Sequence, residues 1–520
     1  MKTLVSAWQD RFEKPDAGVI LRVFDGRLAE TTFTANEFKS AVERIAGGLK
    51  DAGVRKGDHV FLSLTSEPEM TVYFWASVLI GAVPCLLFTD YGADALSVRF
   101  RSGAADVLIL DQDSPALSTA IDASPGLRMV LRTEDIKAAM PGSGFEPAAP
   151  GPDDPAFMIF TSGSTGFPKA VLHRQGIAEP ILRSMKNVLG VQPGETYWCT
   201  AHPAWITGTV YSVIGPILGS AVSIRYTGAF HAKRWLPLLG SAGVSTFYTA
   251  PSALRGLMRM DDKFFAAFKL EKLRAIFSVG EPLSEAVYEW GMRVFGQTIY
   301  DTWFQSEAGT IRIANRPGDE ILPGWMGRAT DDAGVALLDD ELVPLPDGVP
   351  VQAGKLALRR GWDGAFLGYA GRTDLTASKF SGEYYLSGDL AARDEKGRFK
   401  FIGRDDDIIN TSGHLLGPFE VESVLTADAS VADAAVVSVP DPLIFEAVAA
   451  VLVLKEGAAW SEELELRLKK AVTSAIAPYA APKRFIVVKA LPRNDAGKIL
   501  RRRLREHLSS EKLEESWTES

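Results

Sequence analysis

Nine consecutive residues, Thr161-Ser162-Gly163-Ser164-Thr165-Gly166-Phe167-Pro168-Lys169, concentrate hydroxyls, two glycines and a closing lysine. A chain that turns through glycine presents backbone N–H groups to an anion with no Cβ in the way, and hydroxyls add further donors. Short apolar runs at 157–160 and 170–172 flank the stretch and predict a buried strand, the loop and a returning strand. Such a loop at a strand end suits a polyphosphate; by itself the same composition also describes a Ser/Thr/Gly connector. It is not a Gly-x-x-x-x-Gly-Lys-Ser/Thr phosphate loop, because Pro168 precedes Lys169 and the glycine spacing differs. Further reactive groups follow downstream. Gly280-Glu281-Pro282 and the Asp301–Glu307 stretch each follow an apolar run, and Tyr385-Leu386-Ser387-Gly388-Asp389 ends on a carboxylate in a turn. Gly403-Arg404 comes next, and Lys498 stands in a polar turn just ahead of Arg501, Arg502, Arg503 and Arg505. A basic run of that kind is usually a solvated helix face and less often a nucleic-acid patch.

These groups need a scaffold, and hydrophobic periodicity supplies one. Phe38, Val42, Ile45, Ala46 and Leu49 predict a helix over 36–53 that stops at Gly53. A strand at 60–64, a buried helix at 68–81, a strand at 85–88 and strands at 106–110 and 129–131 follow. The alternation resumes with strands at 221–224, 244–248 and 275–279, which predicts an α/β fold of doubly wound, mostly parallel sheets. From about 335 the chain turns β-rich and dense in Gly and Pro, a β-rich subdomain of the large N-terminal domain, 1–403. A second unit, 408–520, reads as a small α+β domain: a helix at 418–426, strands at 434–439 and 447–454, a helix at 461–475 and a strand at 485–488.

Composition narrows the function classes. A net charge of −9 over 520 residues argues against a nucleic-acid coat, so any phosphate site must draw on local cations. Two cysteines, Cys85 and Cys199, form no disulfide framework and suit a reducing cytoplasm, and six scattered histidines offer no structural metal site. The N-terminal residues lack the apolar core of a signal peptide. The uncharged run Val72–Phe88 is interrupted by Gly81 and Pro84, so a buried helix and strand are expected there and no membrane association.

The order and spacing of these motifs, over roughly residues 20–505, resemble the adenylate-forming superfamily of acyl-CoA synthetases, luciferases and peptide-synthetase adenylation domains. Pro203-Ala204-Trp205-Ile206-Thr207-Gly208, the Asp301–Glu307 stretch and Ser412-Gly413-His414 look most like bacterial acetyl-CoA synthetases. The resemblance implies ATP, Mg2+ and CoA as reagents: a carboxylate and ATP give acyl-adenylate and pyrophosphate, and a thiol then displaces AMP. It assigns the Thr161–Lys169 loop, including Ser162, Gly163, Ser164, Thr165 and Gly166, to the β- and γ-phosphates. Glu307 matches the magnesium-associated acid. Gly280, Glu281, Pro282, Asp301, Thr302 and Trp303 match the adenine side, and Asp389 and Arg404 the ribose and phosphate contacts. Lys498 matches the lysine that bridges carboxylate and α-phosphate, a place that suits a compact ammonium. Asp406, within 404–407, matches a hinge about which the small domain rotates between the two half-reactions.

By the same resemblance the acyl pocket falls on Trp205, Ile206, Thr207, Val279 and Phe304. Phe304 stands where acetyl-CoA synthetases have Trp and medium-chain relatives Gly, so a short acid is expected. Ser412, Gly413 and His414 match a CoA contact, but Leu415 replaces the usual Arg. That missing cation leaves open an adenylating enzyme that loads a pantetheine carrier protein, beside a CoA ligase and a degenerate nucleotide-binding protein. Related acetyl-CoA synthetases are switched by acetylation of the matching lysine, which makes a protein acetyltransferase and deacetylase possible partners at Lys498.

Overall fold

A computed structural model describes residues 1–138, 145–162, 168–330, 334–405, 407–411, 414–441, 445–493 and 499–509. Two α/β sheets lie in the N-terminal part. One has four parallel strands in the order Val83–Leu86, His59–Ser63, Val107–Leu110, Met129–Arg132. The central strand Val107–Leu110 is buried along its whole length, as expected where helices cover both faces of a parallel sheet. The strand expected at 85–88 lies instead at Val83–Leu86 and includes Pro84. It is an edge strand, where a residue without an N–H is tolerated, so the proline that reads as a breaker sits inside the element.

The second sheet has fourteen strands. Its parallel half runs Val19–Phe24, Val222–Tyr226, Thr196–Cys199, Thr246–Thr249, Ala275–Ser278, Ile299–Trp303. Beyond Ile299–Trp303 the pairing turns antiparallel through Ile313–Ala314, Gly327–Ala329, Arg398–Arg404, Tyr384–Arg393, Val351–Arg359 and Val335–Leu338. The β-rich stretch after 335 therefore continues the large sheet through backbone hydrogen bonds.

Local signals explain several boundaries. The helix Ala35–Asp51 starts at a capping box in which Thr34 and Glu37 satisfy each other's backbone N–H groups. The helix Glu69–Leu79 buries every residue from Met70 to Leu79, and Trp75 Nε1 donates to Val213 O across 3.2 Å. Among the described residues no helix is long and apolar enough to cross a membrane. Glu67, just ahead of that helix, pairs with Arg225 of the large sheet at 3.2 Å, both side chains being at most 5% exposed. Cys85 and Cys199 are buried free thiols. Burial pushes the Cys199 thiol up to about 11 and holds Cys85 still higher.

A three-stranded sheet holds Pro155–Ser162, Pro168–Arg174 and Gly368–Tyr369. The C-terminal residues form a five-stranded sheet of His414–Leu416, Ile409–Thr411, Phe445–Leu454, Val431–Asp441 and Arg484–Val487, with helices Pro418–Thr426 and Glu462–Ala475. The basic run forms a helix, Arg501–Ser509. Arg501 is paired with Glu422 at 2.6 Å and Arg505 with Asp407 at 3.0 Å, so part of the run is neutralised by this chain's own acids.

Candidate active site

The loop that opened the sequence analysis joins two antiparallel strands whose register pairs Thr161 with Lys169 and Ser162 with Pro168. Gly163, Ser164, Thr165 and Gly166 lie outside the described residues. At the loop's far end Lys169 places its Nζ 5.7 Å from the centroid of the Tyr369 ring.

The two parallel strands at the sheet's turning point carry the next groups. Ala275–Ser278 leads into Val279 and Gly280, whose φ of +88° is a left-handed conformation that favours glycine. Glu281 then accepts from Arg255 at 2.6 Å. On the neighbouring strand Asp301 is buried and accepts from Ser278 Oγ at 2.6 Å and from the Thr302 N–H at 3.1 Å. No cation is among the groups that act on it, and burial pushes its carboxyl up to about 7. Thr302 Oγ1 donates to Ser278 O at 2.7 Å and pairs with Tyr248 OH at 2.9 Å.

Asp389 and Arg404 face each other across antiparallel strands, joined by a 2.8 Å ion pair to Oδ1. The other carboxylate oxygen accepts from Trp303 Nε1 and Gln305 Nε2, each at 2.9 Å. Tyr385 OH donates to Gln305 Oε1 at 3.1 Å and so fixes the amide's orientation. Gly388, at φ +72°, lies so close to Arg404 that an added Cβ would sit 2.9 Å from its guanidinium. Asp389 thus accepts from a cation and from two neutral donors.

Glu307 ends the same stretch. Its Oε1 accepts from Tyr369 OH at 2.6 Å, and its carbonyl accepts from the Phe366 N–H at 3.2 Å. Burial and the adjacent carboxylate hold the Tyr369 phenol far above its ordinary range, so it remains a donor. Glu307 offers a hard oxygen of the kind Mg2+ takes. Among the described residues no cluster of three or more His, Cys, Asp or Glu could hold a metal ion.

Of the residues expected at the acyl pocket, Phe304 meets Tyr211 edge to face at 5.6 Å. Tyr211 lies in the π-helix Thr209–Ile214, and its OH is pinned by Ser184 Oγ at 3.0 Å and by the Ile311 N–H at 2.9 Å. Ile206 and Thr207 begin the helix that leads into that segment, and Val279 is buried after its strand. Trp205 packs on Phe88 with ring centroids 5.1 Å apart. Lys498, Asp406, Ser412 and Gly413 lie outside the described residues, and of His414 the backbone pairing with Thr411 is described.

Two residues that touch these groups, Tyr211 and Tyr369, were not singled out from sequence, and Gln305 and Tyr385 lay inside quoted motifs with no role assigned. Gln305 was within reach, because Trp303 and Gln305 alternate along an extended segment and so share a face. Tyr369 had no such signal, lying 62 residues from the carboxylate it holds.

A family model described as AMP-binding enzyme matches residues 12–370, and the model of that enzyme's C-terminal domain matches 420–498. The chain belongs to the AMP-binding enzyme family. Among curated relatives, this AMP-binding enzyme is 35% identical to an acetyl-coenzyme A synthetase of Bacillus subtilis, covering 91% of this chain and 84% of that one. It is 33% identical to the acetyl-coenzyme A synthetase of Vibrio parahaemolyticus, over 95% and 82% of the two chains. Among solved structures it is similar to the anthranilate CoA ligase AuaEII in complex with anthranoyl-AMP, with TM-score 0.89, 26% identity and coverage of 98% and 97%. An acyl-CoA synthetase of Brucella canis superposes with TM-score 0.74 at 28% identity, covering 97% and 94%. This AMP-binding enzyme is an AMP-forming acid–thiol ligase, a class whose reagents are ATP, Mg2+ and CoA.

Proposed function

We propose that this ligase activates a short carboxylic acid, acetate, propionate or a small relative, as the acyl-adenylate and passes the acyl group to CoA. The observation that carries the reading is the Phe304–Tyr211 contact: an aromatic ring seated on a tyrosine whose hydroxyl is fixed at two points makes a rigid floor. Discrimination per methylene in such a pocket is only about 1–3 kcal/mol, so C2 to C4 acids overlap.

In the first half-reaction a carboxylate approaches a polyphosphate, and like charges must be offset by cations and aimed donors. The Thr161–Lys169 loop takes the β- and γ-phosphates, which leave as pyrophosphate. Asp389, already held by Arg404, Trp303 and Gln305, accepts the ribose hydroxyls. Gly280 to Pro282 and Asp301 to Trp303 form the adenine side. Glu307 would hold Mg2+, which would supply neutralisation of phosphate charge. Lys498 bridges the substrate carboxylate and the α-phosphate as the developing negative charge passes between them. In the second half-reaction residues 408–520 turn about Asp406, within 404–407, and a thiol takes the place Lys498 has left. Acetylation of Lys498 removes its charge and stops the first half-reaction, which suits regulation by a protein acetyltransferase and deacetylase. A cytoplasmic location suits the two free thiols.

Leu415 favours one further reading of the acceptor, a carrier protein's pantetheine. Against it stands a groove of about 500 Å3 that runs beside Thr411 and is lined by Tyr479, Lys469 and Lys483. A lining that combines an aromatic ring with two lysines, paired here with Glu465 and Asp441, suits a nucleotide with phosphates, the end of CoA that a carrier's pantetheine lacks. The test is carboxylate-dependent ATP–pyrophosphate exchange with C2 to C8 acids, followed by AMP release with CoA or with phosphopantetheinylated carrier. Exchange limited to C2–C4 and AMP release with CoA is expected. Exchange peaking at longer acids overturns the pocket assignment, and failure with every acid overturns the adenylation chemistry.

A further inference from the structure

Tyr369 is the point where three parts of the site meet. It lies on the short strand Gly368–Tyr369, which pairs with Pro168–Arg174 in the register Gly368 to Leu172 and Tyr369 to Val171. That partner strand begins where the Thr161–Lys169 loop ends. Leu367 and Ala370 extend the seam, their N–H groups donating to Leu172 O at 2.7 Å and Ala170 O at 2.8 Å. Gly368 runs at φ +140° against Thr376, where a Cβ would meet Oγ1 at 3.0 Å, so the backbone path that delivers Tyr369 is specific to glycine. On the other side the same segment grips the Glu307 turn. The Phe366 N–H donates to Glu307 O at 3.2 Å and Trp362 Nε1 to Ala308 O at 3.2 Å. The phenol itself donates to Glu307 Oε1 at 2.6 Å, and its ring lies 5.7 Å from Lys169 Nζ, within cation–π range.

A carboxylate has two oxygens and rotates freely unless one is held. A short charge-assisted bond to Oε1 fixes the plane of the group and leaves Oε2 for a hard cation. We propose that Tyr369 is a positioning residue that aims Glu307 at the nucleotide's metal ion and joins that carboxylate mechanically to the strand closing the phosphate loop. The proposal rests on the adenylation reading above. Groups that orient a metal ligand from behind typically change metal affinity about 10–100-fold when removed. They act by holding the ligand, so their removal leaves metal-free nucleotide binding intact.

The test compares wild type, Tyr369→Phe, Glu307→Gln and the double variant. Mn2+ binding is followed by electron paramagnetic resonance in the presence of ATP, ATP binding by calorimetry in EDTA, and folding by thermal melting. Tyr369→Phe is expected to weaken Mn2+ binding about tenfold with metal-free ATP affinity and melting temperature unchanged. In the Glu307→Gln background it should add nothing further. Unchanged Mn2+ affinity, an equal loss in EDTA, or full additivity of the two substitutions overturns the proposal. Should Tyr369→Phe not fold, Tyr369→His, which keeps a ring N–H donor, takes its place, and Mn2+ binding that stays coupled to Glu307 is the expected result. Pyrophosphate exchange by the wild type tests the adenylation reading separately: if exchange occurs and the couplings above do not, only the role of Tyr369 falls.

Discussion

Phe304 and Asp301 stand three residues apart on one strand end and meet different physics. Phe304 owes its place to Tyr211, whose ring it meets edge to face and whose hydroxyl is anchored twice. Phe304→Gly removes the proposed floor while leaving that anchor, and acceptance in the exchange assay should move towards C6–C8 acids; an unchanged chain-length order would remove Phe304 from the pocket. Asp301 is buried and pushed up to about 7, against 3.8 for an unperturbed group. The folded chain therefore keeps a proton that the unfolded chain releases as pH rises from about 4 to 7. Over that window the folded state binds more protons, and stability falls with rising pH by at most ~1.4 kcal/mol per pH unit. Asp301→Asn removes this slope, so its stability relative to wild type should increase between pH 4 and pH 8. Chemical denaturation at several pH values checks it, and parallel pH profiles for the two proteins would contradict it.

At the level of elements, the Glu67–Arg225 pair joins the turn ahead of the helix Glu69–Leu79, which connects two strands of the four-stranded sheet, to the Val222–Tyr226 strand of the large one. Burial raises the Glu67 carboxyl, and Arg225 and Thr71 only partly offset it. Removing the cation alone leaves an uncompensated buried acid. Arg225→Met is expected to cost about 3–5 kcal/mol in unfolding free energy, and pairing it with Glu67→Gln should recover part of that. A loss below about 1 kcal/mol, the scale of an exposed pair, would mean that the acid is solvated. Pairs of this kind also mark the limit of what sequence patterns carry. The hairpin around Thr161–Lys169 was legible because apolar runs flank a glycine-rich stretch, and the helix from Ala35 because its periodicity is strong. Pro84 misled, since whether a proline breaks a strand depends on whether that strand lies at an edge. The antiparallel continuation of the sheet past Trp303 was not legible, because strand order has no local signature. Glu307, Asp389 and Arg404 stood out by motif, whereas Tyr369 and Tyr211 become visible only when distant segments are brought together.

For the molecule as a whole, the proposed mechanism has the two half-reactions make opposite demands on residues 408–520. Lys498→Ala should abolish carboxylate-dependent pyrophosphate exchange yet leave thioester formation from supplied acyl-adenylate largely intact. Equal loss of both would mean that the lysine serves one common pose. Following the motion itself requires reporters on the two units. Here the buried thiols described with the fold have a practical consequence. Cys85 and Cys199 are inaccessible and poorly ionised, so maleimide dyes at neutral pH pass them by. New cysteines at exposed positions such as Val343, 54% exposed, and Leu466, 72% exposed, can therefore carry a fluorescent donor and acceptor with both native cysteines left in place. The folded chain is expected to be silent to thiol labelling, and the proposed rotation between half-reactions would be read as a change in energy transfer on the otherwise unaltered enzyme.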